Sequence, residues 1–209
     1  MSDPDKTGDG VSENGRQPED LMLRVIDLYA GYYADLHILQ GVNLDAERGK
    51  ITTVLGANGV GKSTLLKAIY GFLKPNSGQV LLEDQSLSGI PTHQRIDMGI
   101  SYIPQQPGIF RWMTVEENLE LGAWTFKKDK ARIRRKLEEN YERVPMLKDR
   151  RKSKAGELSG GMQRMVEVGR TLMTEPKVIL VDEPTAGLAK LLSAEVYEML
   201  VQLRDEEGM

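Results

Sequence analysis

The chain has 209 residues, 40% of them apolar and 28% charged, with a net charge of −3, an ordinary composition for one globular domain or a domain with an insertion. The slight acidity argues against nucleic-acid binding driven by overall charge, and the absence of cysteine excludes disulfides, thiol nucleophiles and zinc–thiolate sites. No apolar run approaches the ~20 residues that span a bilayer, and no apolar core near the start marks a signal peptide, so the sequence predicts a cytoplasmic address.

Residues 1–20 hold six acidic and two basic side chains among Gly, Ser, Asn and Pro, with Val11 as the one apolar anchor. That composition predicts a disordered acidic tail. It also leaves the body, residues 21–209, at a net charge of +1. Strands are predicted over 21–27, 38–44 and 51–55, the last a β-branched run that ends at Gly56 as a buried strand does. Residues 62–73 carry Leu65, Leu66, Ile69, Tyr70 and Leu73 at helical spacing. Strands follow over 79–82 and 100–103.

Residues 107–158 have a different texture. Thr114-Val-Glu-Glu117 is a capping box, in which hydroxyl and carboxylate satisfy each other's backbone amides. Residues 127–136 contain seven basic side chains and one acid, which reads as a solvated helix face. The block is predicted to be a helical insertion. Next come a helix over 160–174 with Met162, Met165, Val166, Gly169, Leu172 and Met173 on one face, an apolar strand over 178–181, and a helix over 193–204 with Val196, Met199, Leu200 and Leu203 inward. Strands alternating with helices predict an α/β fold with a mostly parallel sheet.

Three segments carry chemistry. Gly56-Ala57-Asn58-Gly59-Val60-Gly61-Lys62-Ser63 fits G-x-x-x-x-G-K-[ST]. Its glycines let the backbone curl so that amides face phosphate oxygens, and the helix behind presents its positive end to the same anion. Lys62 adds a point charge, and Ser63 a hydroxyl for Mg²⁺. Val178-Ile-Leu-Val-Asp182-Glu183 ends a strand in two carboxylates. Asp182 can hold Mg²⁺ through water, and Glu183 can orient or deprotonate an attacking water. Leu158-Ser-Gly-Gly-Met-Gln163 opens a helix. The residues alone leave two readings there, an ordinary N-cap or a second anion clamp.

In that order and spacing, these segments resemble the nucleotide-binding subunit of an ABC transporter, over nearly all of the body. Leu158-Ser159-Gly160-Gly161 is similar to the family's signature motif. The resemblance implies a P-loop NTPase fold of the ABC type, with an antiparallel β subdomain and a helical subdomain at about 107–158. It implies a head-to-tail pair with a second ATP-binding subunit, identical or paralogous, that sandwiches ATP and Mg²⁺. Integral membrane permease subunits would be the other partners, seating the chain on the cytoplasmic face of the membrane. No nucleic-acid partner is expected: a soluble ATPase of that kind would carry tandem cassettes or a coiled-coil insertion.

The resemblance assigns nucleotide binding to Tyr33 (Tyr32 as alternative), Gly56, Ala57, Asn58, Gly59, Val60, Gly61, Lys62, Ser63 and Thr64. It gives Ser159, Gly160 and Gly161 to ATP held by the opposite subunit. It assigns catalysis to Glu183, Lys62 and Gln105 (Gln106 as alternative) and Mg²⁺ to Ser63, Gln105 and Asp182. A narrower likeness, to the ATPases of branched-chain amino-acid importers, rests on Gly99-Ile-Ser-Tyr-Ile-Pro-Gln105, Met113-Thr-Val-Glu-Glu-Asn-Leu119, Lys154-Ala-Gly-Glu-Leu-Ser-Gly-Gly161 and Gly187-Leu-Ala189. Lys190 departs from that group's usual proline. Lipopolysaccharide export ATPases share a Pro-Gln-x-x-x-Ile-Phe segment, present here through Ile109 and Phe110.

Phe110, Arg111, Trp112 and Met113 have two readings, packing within the helical block or receiving a helix of a membrane subunit. The family also carries a switch histidine on a strand after the last helix. His37 and His93 both lie upstream of Asp182, so the sequence predicts an incomplete C-terminal end, a glycine cap at Gly208, and an alternative role as a nucleotide-binding module with little hydrolysis.

Overall fold

The computed structural model describes residues 20–33, 36–186 and 190–207. The expected tail over 1–19, residues 187–189 and the expected cap at Gly208 lie outside them.

The first two strands, β1 (Leu21–Ala30) and β2 (Leu39–Glu47), are joined by a connection too short for a crossover helix, so they pair antiparallel. On the other edge of β1 lies β3 (Ser77–Leu82), followed by the short β4 (Gln85–Ser86). The sheet order is β2-β1-β3-β4, antiparallel throughout. The parallel part of the fold is smaller than the alternation of elements predicts. It consists of β5 (Ile100–Ile103) and β6 (Val178–Val181), paired in register from Ile100↔Val178 to Ile103↔Val181.

Residues 51–55 depart from expectation. They join no sheet, and Leu55 is 87% exposed. A β-branched run becomes a strand only where a neighbour completes its ladder. Among the described residues β6 is bonded on its β5 side alone, and a groove of ≈ 420 Å³ lies between it and this segment. Its lining includes Ile51, Val54, Leu180, Leu200 and Leu203.

Seven helices are described: α1 (Lys62–Tyr70), α2 (Thr92–Asp97), α3 (Val115–Leu121), α4 (Lys130–Arg143), α5 (Pro145–Asp149), α6 (Gly160–Leu172) and α7 (Lys190–Glu207). The stripe through Leu73 overshoots α1, because Gly71 adopts φ 91° and its amide closes on the Lys67 and Ala68 carbonyls. At the start of α3 the Thr114 side chain accepts from the Glu117 amide while Glu117 accepts from the Thr114 amide. On α4, Ile133, Leu137 and Tyr141 turn inward and Lys130, Arg134 and Arg135 face water.

Two cores form. One joins α3, α4, α5, α6 and α7; the other joins the antiparallel sheet and α1. The parallel pair is the wall between them. Ile103, Ile179 and Val181 face the first core; Ile100, Tyr102, Val178 and Leu180 face the second. That follows from the period of two along a strand. Both strands therefore sit fixed from two sides, with their carboxyl ends at the junction of the cores.

Candidate active site

The carboxyl ends of neighbouring parallel strands are where an open α/β sheet gathers its ligand-binding loops. Here β5 leads into Pro104-Gln105 and β6 into Asp182-Glu183. Helix α1 packs on both strands, which brings the loop Gly56–Ser63 over their ends. Gly61 is the N-cap of α1 at φ 108°, and a Cβ there would meet Ile38 and Leu39 at 3.1 Å. Both the backbone angle and the space call for glycine.

Several of the candidate residues meet directly. Ser63 Oγ donates to Asp182 Oδ1 at 2.8 Å. Lys62 Nζ donates to the carbonyls of Gly56 (3.0 Å) and Ala57 (3.1 Å), and lies 3.6 Å from Glu183 Oε1. Gln105 joins them: its Nε2 donates to Glu183 Oε2 at 3.0 Å. Asp182 is 4% exposed, and its amide donates to the Ile103 carbonyl, which seats it at the strand end. Glu183 holds φ 45°, a left-handed backbone uncommon for a residue with a side chain. Thr64 is buried in the first turn of α1, while Asn58, Gly59 and Val60 form the exposed crest of the loop.

Other candidates stand apart. Ser159 caps α6, its hydroxyl accepting from the Met162 amide at 3.3 Å, and Gly160 and Gly161 form the first turn. Among the described residues no hydrogen bond or ion pair links these three to the cluster around Lys62. Tyr33 is 73% exposed. Its neighbour Tyr32 is the one that touches α1, where Lys67 Nζ donates to its hydroxyl at 3.5 Å. Gln106 is exposed, and so are Phe110 and Trp112, which excludes simple packing of Trp112 within the helical block.

Sequence reasoning missed a residue at the centre. The Tyr102 hydroxyl donates to Asp182 Oδ2 at 3.0 Å. Its ring stacks on Tyr70 with centroids 5.4 Å apart, and Phe72 meets it edge-on. Burial, then the adjacent carboxylate, pushes the phenol well above the usual tyrosine range, so it remains a donor. The signal existed only in the register. Tyr102 stands opposite Leu180, and Asp182 follows two residues later on the same face.

An apolar wall, a glycine loop opening a helix, a lysine, a hydroxyl and two carboxylates suit the binding of a polyphosphate. The ABC transporter family matches residues 39–186. The chain belongs to that family. As an ABC transporter ATP-binding subunit it is a nucleotide-binding ATPase and a component of a transporter complex. A probable branched-chain amino acid transport ATP-binding protein (LivF) of Archaeoglobus fulgidus is 40% identical over 88% of this chain and 77% of its own. A high-affinity branched-chain amino acid transport ATP-binding protein (BraG) of Pseudomonas aeruginosa is 37% identical over 86% and 76%. A nucleotide-free ATP-binding cassette from an ABC transporter superposes with a TM-score of 0.80 at 32% identity, covering 90% of this chain and 79% of that one. Like that of an ABC cassette, its architecture combines an antiparallel sheet with an α/β nucleotide site. No described helix is long and apolar enough to cross a membrane.

Proposed function

We propose that this subunit powers an importer of branched-chain or similar amino acids, pairing head to tail with a second ATP-binding subunit beneath integral membrane permeases, on the cytoplasmic face. The amino-acid reading is supported by the names of the relatives at 40% and 37% identity, both branched-chain amino acid transport ATP-binding proteins; a lipopolysaccharide export ATP-binding protein (LptB) of Acidithiobacillus ferridurans is 30% identical. Residues 107–158 serve as the helical subdomain, a reading supported by α3, α4 and α5 packing together on α6 in one core.

The observation that carries the catalytic reading is the meeting of Lys62, Ser63, Asp182, Gln105 and Glu183 at the ends of β5 and β6. The amides of the loop from Gly56 to Thr64 and the positive end of α1 take the phosphates. Lys62 compensates charge on the outer ones. Its ammonium is held by two carbonyls and lies 3.6 Å from Glu183, so a bound phosphate competes with these partners. That exchange releases Glu183 to orient water for in-line attack on the γ-phosphate and accept its proton. The strained backbone of Glu183 is in keeping with a working group. Gln105 holds the same carboxylate from the other side. Tyr33 stacks on adenine, and Ser159, Gly160 and Gly161 clamp the nucleotide of the opposite subunit.

Ser63 Oγ and Asp182 Oδ1, hard oxygens 2.8 Å apart, suit Mg²⁺, which favours few protein ligands plus phosphate; Gln105 would be a third contact. Such an ion supplies charge neutralisation at the phosphate oxygens. The test is MgATP hydrolysis against protein concentration, with Glu183→Gln as control. The expected rate rises faster than linearly with protein and falls by roughly 10²- to 10⁴-fold in the variant. A linear rate that survives Glu183→Gln would refute the reading.

A further inference from the structure

Among the described residues the most deeply buried charges are Arg164 and Glu167 on α6, each side chain 1% exposed. Neither belongs to the cluster around Lys62. They pair with each other, and their other short side-chain bonds all reach one loop. Arg164 Nη1 donates to the Pro104 carbonyl at 2.7 Å, and Nη2 donates to the Gln105 carbonyl. Glu167 Oε1 accepts from the Gly108 amide at 2.7 Å, with Arg170 Nη2 3.9 Å away. A Cβ on Gly108 would lie 3.3 Å from that oxygen, so the loop lies against the carboxylate.

Taking two charges out of water is costly, and apolar residues of similar volume fill a core at least as well. The pair is therefore poorly explained by packing. What it holds is the backbone that carries Gln105, and Gln105 donates to Glu183. The helix bearing the pair is the one that Ser159 caps. From Ser159 to Arg164 is five residues, or roughly 7.5 Å along the axis at ~1.5 Å each.

We propose that Arg164, oriented by Glu167, is a positioning residue for ATP hydrolysis: it fixes the Pro104–Gln105 backbone so that the Gln105 amide meets Glu183, and it ties that contact to the helix opened by Ser159. The proposal rests on the reading of Glu183 as the group that orients water. A shift of α6 when its first turn engages nucleotide in the opposite subunit would then reach the Gln105–Glu183 contact of its own site.

The experiment is a kinetic double-mutant cycle of Arg164→Met and Gln105→Ala, with thermal melting and hydrogen exchange on every variant. A small displacement of a reacting group can cost up to about 100-fold, so Arg164→Met alone should lower kcat by about 10- to 100-fold with KM little changed. Because it acts through Gln105, it should add less than about twofold in the Gln105→Ala background. Arg164→Met leaves Glu167 buried with only Arg170, 3.9 Å away, as counter-charge, so Arg164→Met/Glu167→Leu removes both members of the pair. That variant should melt near wild type, still lose kcat, and exchange faster at 104–108 than elsewhere around α6. Multiplicative effects in the cycle, full kcat in the charge-free variant, or exchange raised evenly along α6 would each overturn the proposal. Glu183→Gln separates the two levels. A variant that hydrolyses at the wild-type rate overturns the site reading and this proposal together; an inactive one with multiplicative Arg164 and Gln105 effects overturns this proposal alone.

Discussion

Replacing Tyr102 by Phe removes one oxygen and keeps the ring. The stack on Tyr70 and the edge contact with Phe72 persist. What is lost is a donor 3.0 Å from Asp182 Oδ2, on a carboxylate that is 4% exposed. Water cannot readily take the hydroxyl's place. A hydrogen bond to a charged group contributes about 1.5–3 kcal/mol. Ser63 and the Ile103 carbonyl still anchor Asp182, so the middle of that range, about 2 kcal/mol, is the expected loss. In a chain of this size each kcal/mol moves Tm by about 2–4 °C, giving a drop of about 4–8 °C. Thermal melting of wild type and Tyr102→Phe measures it, first without nucleotide and then with saturating MgATP. If Asp182 faces Mg²⁺, bound cation compensates the lost donor and the gap narrows. A Tm within about 1 °C of wild type without nucleotide, well below that expected drop, would refute the account, as would a gap that widens with MgATP.

Gly122→Ala should be more damaging, although Gly122 has an ordinary helical backbone. Its Cβ would lie 2.1 Å from the Arg170 carbonyl oxygen and 2.7 Å from Met173 Cβ, where α3 meets α6. Overpacking against backbone costs up to about 3 kcal/mol or more, so Tm should fall by about 6–12 °C. The Glu117 carboxyl is held below its usual range by the Thr114 amide and then its hydroxyl. A depressed carboxyl contributes stability above its unfolded pKa, about 4.3, and loses it as pH falls through the lower folded value. The Tm difference between wild type and Glu117→Ala should therefore be full near neutrality and vanish in strong acid; a difference constant with pH would sink that assignment.

What could be read from the sequence was whatever repeats locally or sits at a fixed offset. The strand over 100–103, the strand over 178–181 and the Thr114–Glu117 box are each complete within a few residues, and the phosphate loop announces its own helix. Long-range bonds leave no such mark. Tyr102 meets Asp182 across 80 positions and Arg164 meets Pro104 across 60; both look like unremarked members of an element until register and helix phase are known. The failure over 51–55 has another cause. Ile51, Val54 and Leu55 have the composition of a strand, but pairing depends on the neighbour, which a window of residues does not contain. Trp112 had two readings in the sequence, and only its 87% exposure disfavours packing within the helical block, because apolarity alone does not tell a buried aromatic from an exposed one.

The groove beside residues 51–55 also bears on how much of this subunit a cell can hold. Among the described residues one flank of β6 is paired with no strand, and the opposite wall presents Ile51 and Leu55 to water. Such an edge is a template for strands from other molecules. Crowded copies would stick through it, and quality-control machinery that captures exposed apolar chain would compete for the same surface.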